Sequence, residues 1–144
     1  QIYLAARVSK GGRGFLSKSV NVAQMIEGHG DMHHIVPKNY LIKNGFPKQA
    51  DYNQIANFAL TETPINITIK DHPPETYMAW VDTQCQSGQL TLGEITDPAD
   101  LQANLAENAI PAFITSVNAG NYRDFLTARR QLMAEMIREY YQAL

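Results

Sequence analysis

Cysteine is almost missing from this chain: Cys85 is the only one among 144 residues. No disulfide can close within it, and no pair of cysteines can clamp a structural zinc ion. A reducing, cytoplasmic setting is the expectation that follows. Aromatic residues make up only 9% of the chain, and no apolar run approaches the ~18 residues that a membrane-spanning helix needs. The sequence contains no internal repeat and no Gly-, Pro- or Ser-dominated tract, which excludes collagen-like and low-complexity architectures. Nor is there the charged start and cleavage site of a signal peptide. The chain opens on Gln1, and Ile2-Tyr3-Leu4-Ala5-Ala6-Arg7-Val8 reads as a helix already under way. The natural protein is therefore expected to continue upstream.

What is present suits one globular domain spanning residues 1–144, with 18% charged and 44% hydrophobic residues. A net charge of -2 does not by itself recommend a nucleic-acid partner. Its distribution is more telling. Residues 1–72 carry eight basic and five acidic groups, whereas residues 73–144 carry four and nine. Any phosphate-binding face is expected on the first half.

Three stretches organise the chain. Residues 1–28 read as a helical piece: a helix over 2–8, a break at Gly11-Gly12-Arg13-Gly14, and a second helix over 17–27 with Gly28 as its stop. Residues 29–73 are mixed. His33-His34-Ile35-Val36 is a short strand ended by Pro37, and a helical segment follows over 38–43. Residues 55–60 give a second extended piece. Thr63-Pro64 opens either a helix over 63–70, with Thr63 as its cap, or a further β-branched strand. Residues 74–144 are mostly helical, with starts at Pro74 and at Asp97-Pro98. A last helix carries Tyr122, Phe125, Leu126, Met133, Met136, Ile137, Tyr140 and Leu144 on one apolar stripe. The fold class expected is α+β.

Chemistry concentrates in the middle stretch. Three of the four histidines and Asp31 fall between His29 and His34. Imidazole is both a common divalent-metal ligand and the commonest general base near neutral pH. Neighbouring residues on a regular strand face opposite ways. His33 and His34 can therefore serve one site only where the strand ends or distorts. A different set, His29, Asp31 and His33, alternates along one strand face and is a second candidate for holding metal.

The wider pattern narrows the choice. His33-His34-Ile35-Val36-Pro37, then Asn57 ahead of Phe58-Ala59-Leu60-Thr61, then Asn66 nine residues later, resembles the HNH nucleases, also called ββα-metal or His-Me finger nucleases. More narrowly, Tyr52-Asn53-Gln54-Ile55-Ala56-Asn57 and Asp71-His72-Pro73-Pro74 resemble the C-terminal nuclease region of GmrSD-type modification-dependent restriction proteins. The resemblance covers about residues 29–78. It implies a mostly helical domain wrapped around a small ββα-metal core with a two-stranded hairpin. It also implies a metal-dependent endonuclease that hydrolyses DNA and serves restriction of foreign or modified DNA, beside an upstream ParB-like NTPase region.

Carried over residue by residue, the resemblance makes His34 the general base and gives His33 and Asn66 one divalent cation. Asn57 ties the loop together and orients the catalytic imidazole. Such a sparse donor set suits Mg²⁺ or Mn²⁺ and permits Ni²⁺ or Zn²⁺. The metal position holds His33 where many members have Asp, and the last position holds Asn66 where the name promises His. Lys38, Lys43 and Lys70 are candidate DNA-backbone contacts, and Arg13, in its glycine-rich setting, is another. That glycine-rich segment also reads as a flexible connector, His72 as a loop residue, and Asn53 as a second tether or a turn former. A nucleic-acid or protein binding module on the same scaffold is the alternative function, and a structural metal domain is a third.

Overall fold

The computed structural model describes residues 2–144, and of His29 the backbone only. Among the described residues the fold is α+β, with eight α-helices and a single two-stranded antiparallel sheet. No helix there is long and apolar enough to cross a membrane.

Strands β1 (Gly30–His34) and β2 (Phe58–Glu62) pair from Gly30 opposite Glu62 to His34 opposite Phe58. Burial follows the pleat. His33, Ala59 and Thr61 face the core while Met32 is left half in solvent, the period-2 alternation of a half-covered sheet. Gly30 is obligatory at the start. A Cβ there would stand 2.8 Å from Met25 and 2.9 Å from the carbonyl of Thr61. The connection between the strands is long, because residues 35–57 hold α3 (Lys38–Lys43), α4 (Gln49–Tyr52) and a 3-10 turn at Ile55–Asn57. β1 begins three residues earlier than the sequence pattern suggests, and Ile35 and Val36 turn into the core instead of extending it.

After β2 the chain enters α5 (Thr63–Ile69), which packs on both strands. Proline at its second position suits the helix and is foreign to a central strand, so the β-branched content of this segment does not decide its state. Pro64 lies inside the first turn, and Glu62 rather than Thr63 is the cap residue.

The remaining helices wrap this unit. α1 (Ile2–Ser9) packs on α8 (Tyr122–Gln142), and α6 (Pro74–Ser87) packs on the 3-10 turn Ala112–Ser116. α7 (Pro98–Glu107) starts where Asp97 accepts the amide of Asp100. The apolar stripe of α8 is buried at Tyr122, Phe125, Leu126, Met133 and Met136, and it frays outward at Leu144, which is 81% exposed.

The second predicted helix is much shorter than its pattern. Only α2 (Val22–Gln24) forms, followed by a π-type turn over Met25–His29 that contains Gly28 at φ 118°. Asn21 and Gln24 make a reciprocal capping box that sets the true start. Upstream, residues 12–20 are not a flexible connector. The Phe15 amide donates to the carbonyl of Leu60, Thr61 Oγ1 donates back to the carbonyl of Phe15 at 2.6 Å, and Asn104 on α7 accepts the Leu16 amide while donating to Gly14 and Ser17 carbonyls. Phe15 and Leu16 are core residues.

Candidate active site

β1 stops at His34, where the chain bends toward Pro37. The bend is what lets neighbouring imidazoles border one depression. A concavity of about 180 Å³ is lined by His33, His34, Lys38, Asn66, Lys70 and Asp71, together with Met32, Pro37 and Asn39. Asn57 is not among its walls.

His33 is 3% exposed. Its ring stacks on Phe15 at 5.9 Å and meets Tyr77 edge-on at 6.3 Å. Its Nδ1 lies 2.7 Å from Asn66 Oδ1. The orientation of the Asn66 amide is fixed from behind, since its Nδ2 donates to Asp31 Oδ2 at 3.1 Å and Thr63 Oγ1 donates to Asp31 Oδ1 at 3.0 Å. The amide oxygen is thus turned toward His33, whose Nδ1–H donates to it, while the buried Nε2 has no partner among the described residues.

Burial disfavours the imidazolium and pulls the His33 pKa down from 6.5 to about 4, against the smaller opposing effect of the Asn66 hydrogen bond. Between these values the unfolded chain binds a proton that the folded one does not, so stability rises with pH across that window and levels off above 6.5. Urea unfolding of the metal-free protein in EDTA is expected to show a loss of up to about 3 kcal/mol as pH falls through this range. The loss shrinks in His33→Asn, and an equally steep dependence in that variant would refute the assignment.

His34 occupies the other side of the strand and is half-buried. Its ring rests against Phe58 at 4.5 Å and near Tyr52 at 6.1 Å. Nε2 lies 2.8 Å from Asn53 Oδ1. With the amide oxygen as acceptor, Nε2 carries the proton and Nδ1 keeps its lone pair, which is then the nitrogen that could act as a general base. Asn53, which the sequence leaves between tether and turn former, is therefore the residue that holds this ring.

Asn57 departs from its expected role in that respect. It is fully buried and binds backbone only: its Oδ1 accepts the Val36 amide at 2.9 Å, and its Nδ2 donates to the carbonyls of Val36 and Tyr52 at 3.0 and 3.1 Å. It ties residues 36 and 52 to the start of β2 but makes no hydrogen bond to His34. Its influence on the imidazole passes through the backbone.

The cations divide. Lys38 and Lys70 line the depression, Lys38 with its Nζ 5.4 Å from the Tyr52 ring centroid. Lys70 ends α5 at φ 52°, a backbone state rare for a residue with a side chain, and it turns the chain beside the site. Lys43 is exposed at the end of α3 and is not part of the concavity. Arg13 is a correction. Its guanidinium pairs with Glu107 at 2.6 Å and Asp100 at 2.9 Å, with only 17% of the side chain exposed. Those bonds use its donors on α7 and neutralise it, so it offers no free charge to a phosphate. His72 packs edge-on against Trp80 at 5.0 Å and does not line the site.

The donors that converge are one imidazole nitrogen and one amide oxygen. Imidazole can present its Nδ1 lone pair by moving the proton to Nε2, and an amide oxygen is a hard ligand, so the pair fits a hydrated divalent cation with most positions left open. Among the described residues no cluster of three or more His, Cys, Asp or Glu side chains is arranged to hold a metal ion. The closed four-ligand zinc site required by a structural metal domain has no counterpart there. In the alternative set, Asp31 is occupied by Asn66 and Thr63, and the side chain of His29 lies outside the described residues.

Compared with known protein families, curated proteins and solved structures, the chain matches none.

Proposed function

We propose that this domain is a metal-dependent endonuclease of the HNH kind, hydrolysing DNA phosphodiester bonds in the restriction of foreign or modified DNA. The observation that supports this reading best is the arrangement around the end of β1. His33 and Asn66 meet at 2.7 Å, while His34, held by Asn53, borders the same depression. Lys38 and Lys70 beside it supply positive charge where a phosphate would lie.

In this reading the roles separate by burial. His33 and Asn66 hold one divalent cation, Mg²⁺ or Mn²⁺ by preference, with Asp31 fixing the Asn66 amide. When bound, that ion stabilises charge on the phosphate and on the departing oxygen. His34 Nδ1 takes a proton from water for attack at phosphorus, and Asn53 keeps Nε2 protonated so that the lone pair stays on the reactive side. Lys38 and Lys70 position the backbone without reading sequence.

Incubating the protein with supercoiled plasmid in Mg²⁺, Mn²⁺ or EDTA tests the assignment. Nicking in either cation is expected, with none in EDTA. Asn66→Ala is expected to raise the cation concentration needed for half-maximal rate by about tenfold or more, as loss of one of few ligands should. DNA binding without cleavage in any cation would make the domain a binding module instead.

A further inference from the structure

The acidic half of the chain contributes four cations, all on α8, and they have different fates. Arg129 is buried, and Arg138 pairs with Glu135. Arg123 and Arg130 are exposed, and neither has a carboxylate partner among the described residues. With Thr127 between them they occupy one stripe of the helix, since spacings of four and seven residues return to the same face. Asp124 falls about 100° around the helix from Arg123.

These two arginines line a second depression, of about 260 Å³, together with Gln54, Thr127 and Asp51. Asp51 is the only carboxylate in its walls, set against two guanidinium groups. Arg123 lies over the Phe46 ring at 5.1 Å and spends no donor on any side chain among the described residues. Arg130 Nη2 donates to Gln54 Oε1 at 2.8 Å and keeps its other donors. Gln54 directly follows Asn53, whose amide oxygen holds His34. The arginine-lined depression therefore begins one residue from the group that orients the candidate base. Lys38 and Lys70 border the site itself.

We propose that Arg123 and Arg130 are a second set of phosphate contacts, so that a DNA backbone binding at Lys38 and Lys70 passes His34 and continues onto α8. The inference rests on reading the site as one that cleaves DNA. Guanidinium groups with free donors, paired to no carboxylate and outnumbering the one nearby at Asp51, are the side chains best suited to phosphate oxygens, and contacts of this kind add affinity irrespective of sequence. They also extend the substrate footprint onto the half of the chain whose net charge argues against it.

The test is binding of the full chain to a fluorescently labelled duplex of random sequence in EDTA, titrated over a range of salt. The Arg123→Gln/Arg130→Gln protein is expected to bind about tenfold more weakly near 0.1 M salt, with the slope of log affinity against log salt reduced in magnitude by about 2. Arg123→Gln alone, which leaves the Gln54 contact intact, is expected to remove about half of that slope change. Arg138→Gln, on the same helix but already paired, should leave both quantities as in the parent. If the parent binds DNA and the double variant matches it in affinity and slope, the inference is overturned while the reading of the site stands. If the parent binds no DNA, both fall.

Discussion

His34→Ala is expected to lower the rate of cation-dependent plasmid nicking by about 10²–10⁴-fold, the usual contribution of a positioned general base. The side chain packs against Phe58 and Tyr52 on the outer side of the strand and makes a single hydrogen bond among the described residues, to Asn53. Removing it leaves the core untouched, so folding should survive and the loss should be chemical. Asn53→Ala supplies the companion measurement. It frees the ring without deleting it, and a smaller fall in rate is expected, because the imidazole then divides its proton between both nitrogens. Initial nicking rates of the three proteins, matched for DNA binding, decide the matter. A His34→Ala enzyme as fast as the parent would remove His34 from the chemistry.

Arg129→Ala should destabilise the fold by about 3–5 kcal/mol, the range expected when a buried polar network is broken and a cavity is left behind. Arg129 has no measurable exposure and reaches out of the apolar stripe of α8. Its guanidinium donates to the carbonyls of Ala56 and Phe58, at 3.0 and 2.6 Å, and to that of Asn108 at 3.2 Å. The first two flank the entry to β2, next to Asn57. Truncation removes the guanidinium from three carbonyls at once, that of Ala56 buried, that of Phe58 part-buried and that of Asn108 left with Tyr3 Oη, and a buried acceptor left unsatisfied costs roughly 1–3 kcal/mol. Burial also lowers the pKa of this guanidinium, because the interior disfavours its charge. Urea unfolding at neutral pH measures the loss. A change below about 1 kcal/mol would mean that water replaces the guanidinium at those carbonyls.

Much of the architecture is readable from local chemistry. Proline at the second position of α5, Asp97 ahead of Pro98, and the methionine and aromatic stripe of α8 each act within a few residues, and each produces the element its pattern suggests. Where partners are distant, the sequence falls short. Arg13 reads as a surface cation until Asp100 and Glu107 arrive from α7. Arg129 fills the gap in the α8 stripe between Leu126 and Met133, and that position inside an apolar stripe is the one hint that it is buried. The late start of α2 had a readable sign in Asn21 and Gln24, three residues apart, which outweighs the helical look of residues 17–20. The convergence of His33 with Asn66 is what the nuclease resemblance implies. The contributions of Asp31 and Asn53 are not implied by it, because each depends on where a loop or helix turn happens to aim one amide.

The adjacent histidines owe their different surroundings to pairing alone. With His33 opposite Ala59 and His34 opposite Phe58, one ring is enclosed between aromatic neighbours and the other rests at the protein's boundary. Sliding β1 by a single position would exchange them. The hydrated imidazole would become the enclosed one, and the residue able to reach the Asn66 amide would point away from it. Two identical side chains thus acquire separate duties from alignment rather than from identity. One residue inserted between Gly30 and Met32 would silence the site while leaving every side chain at it in the polypeptide.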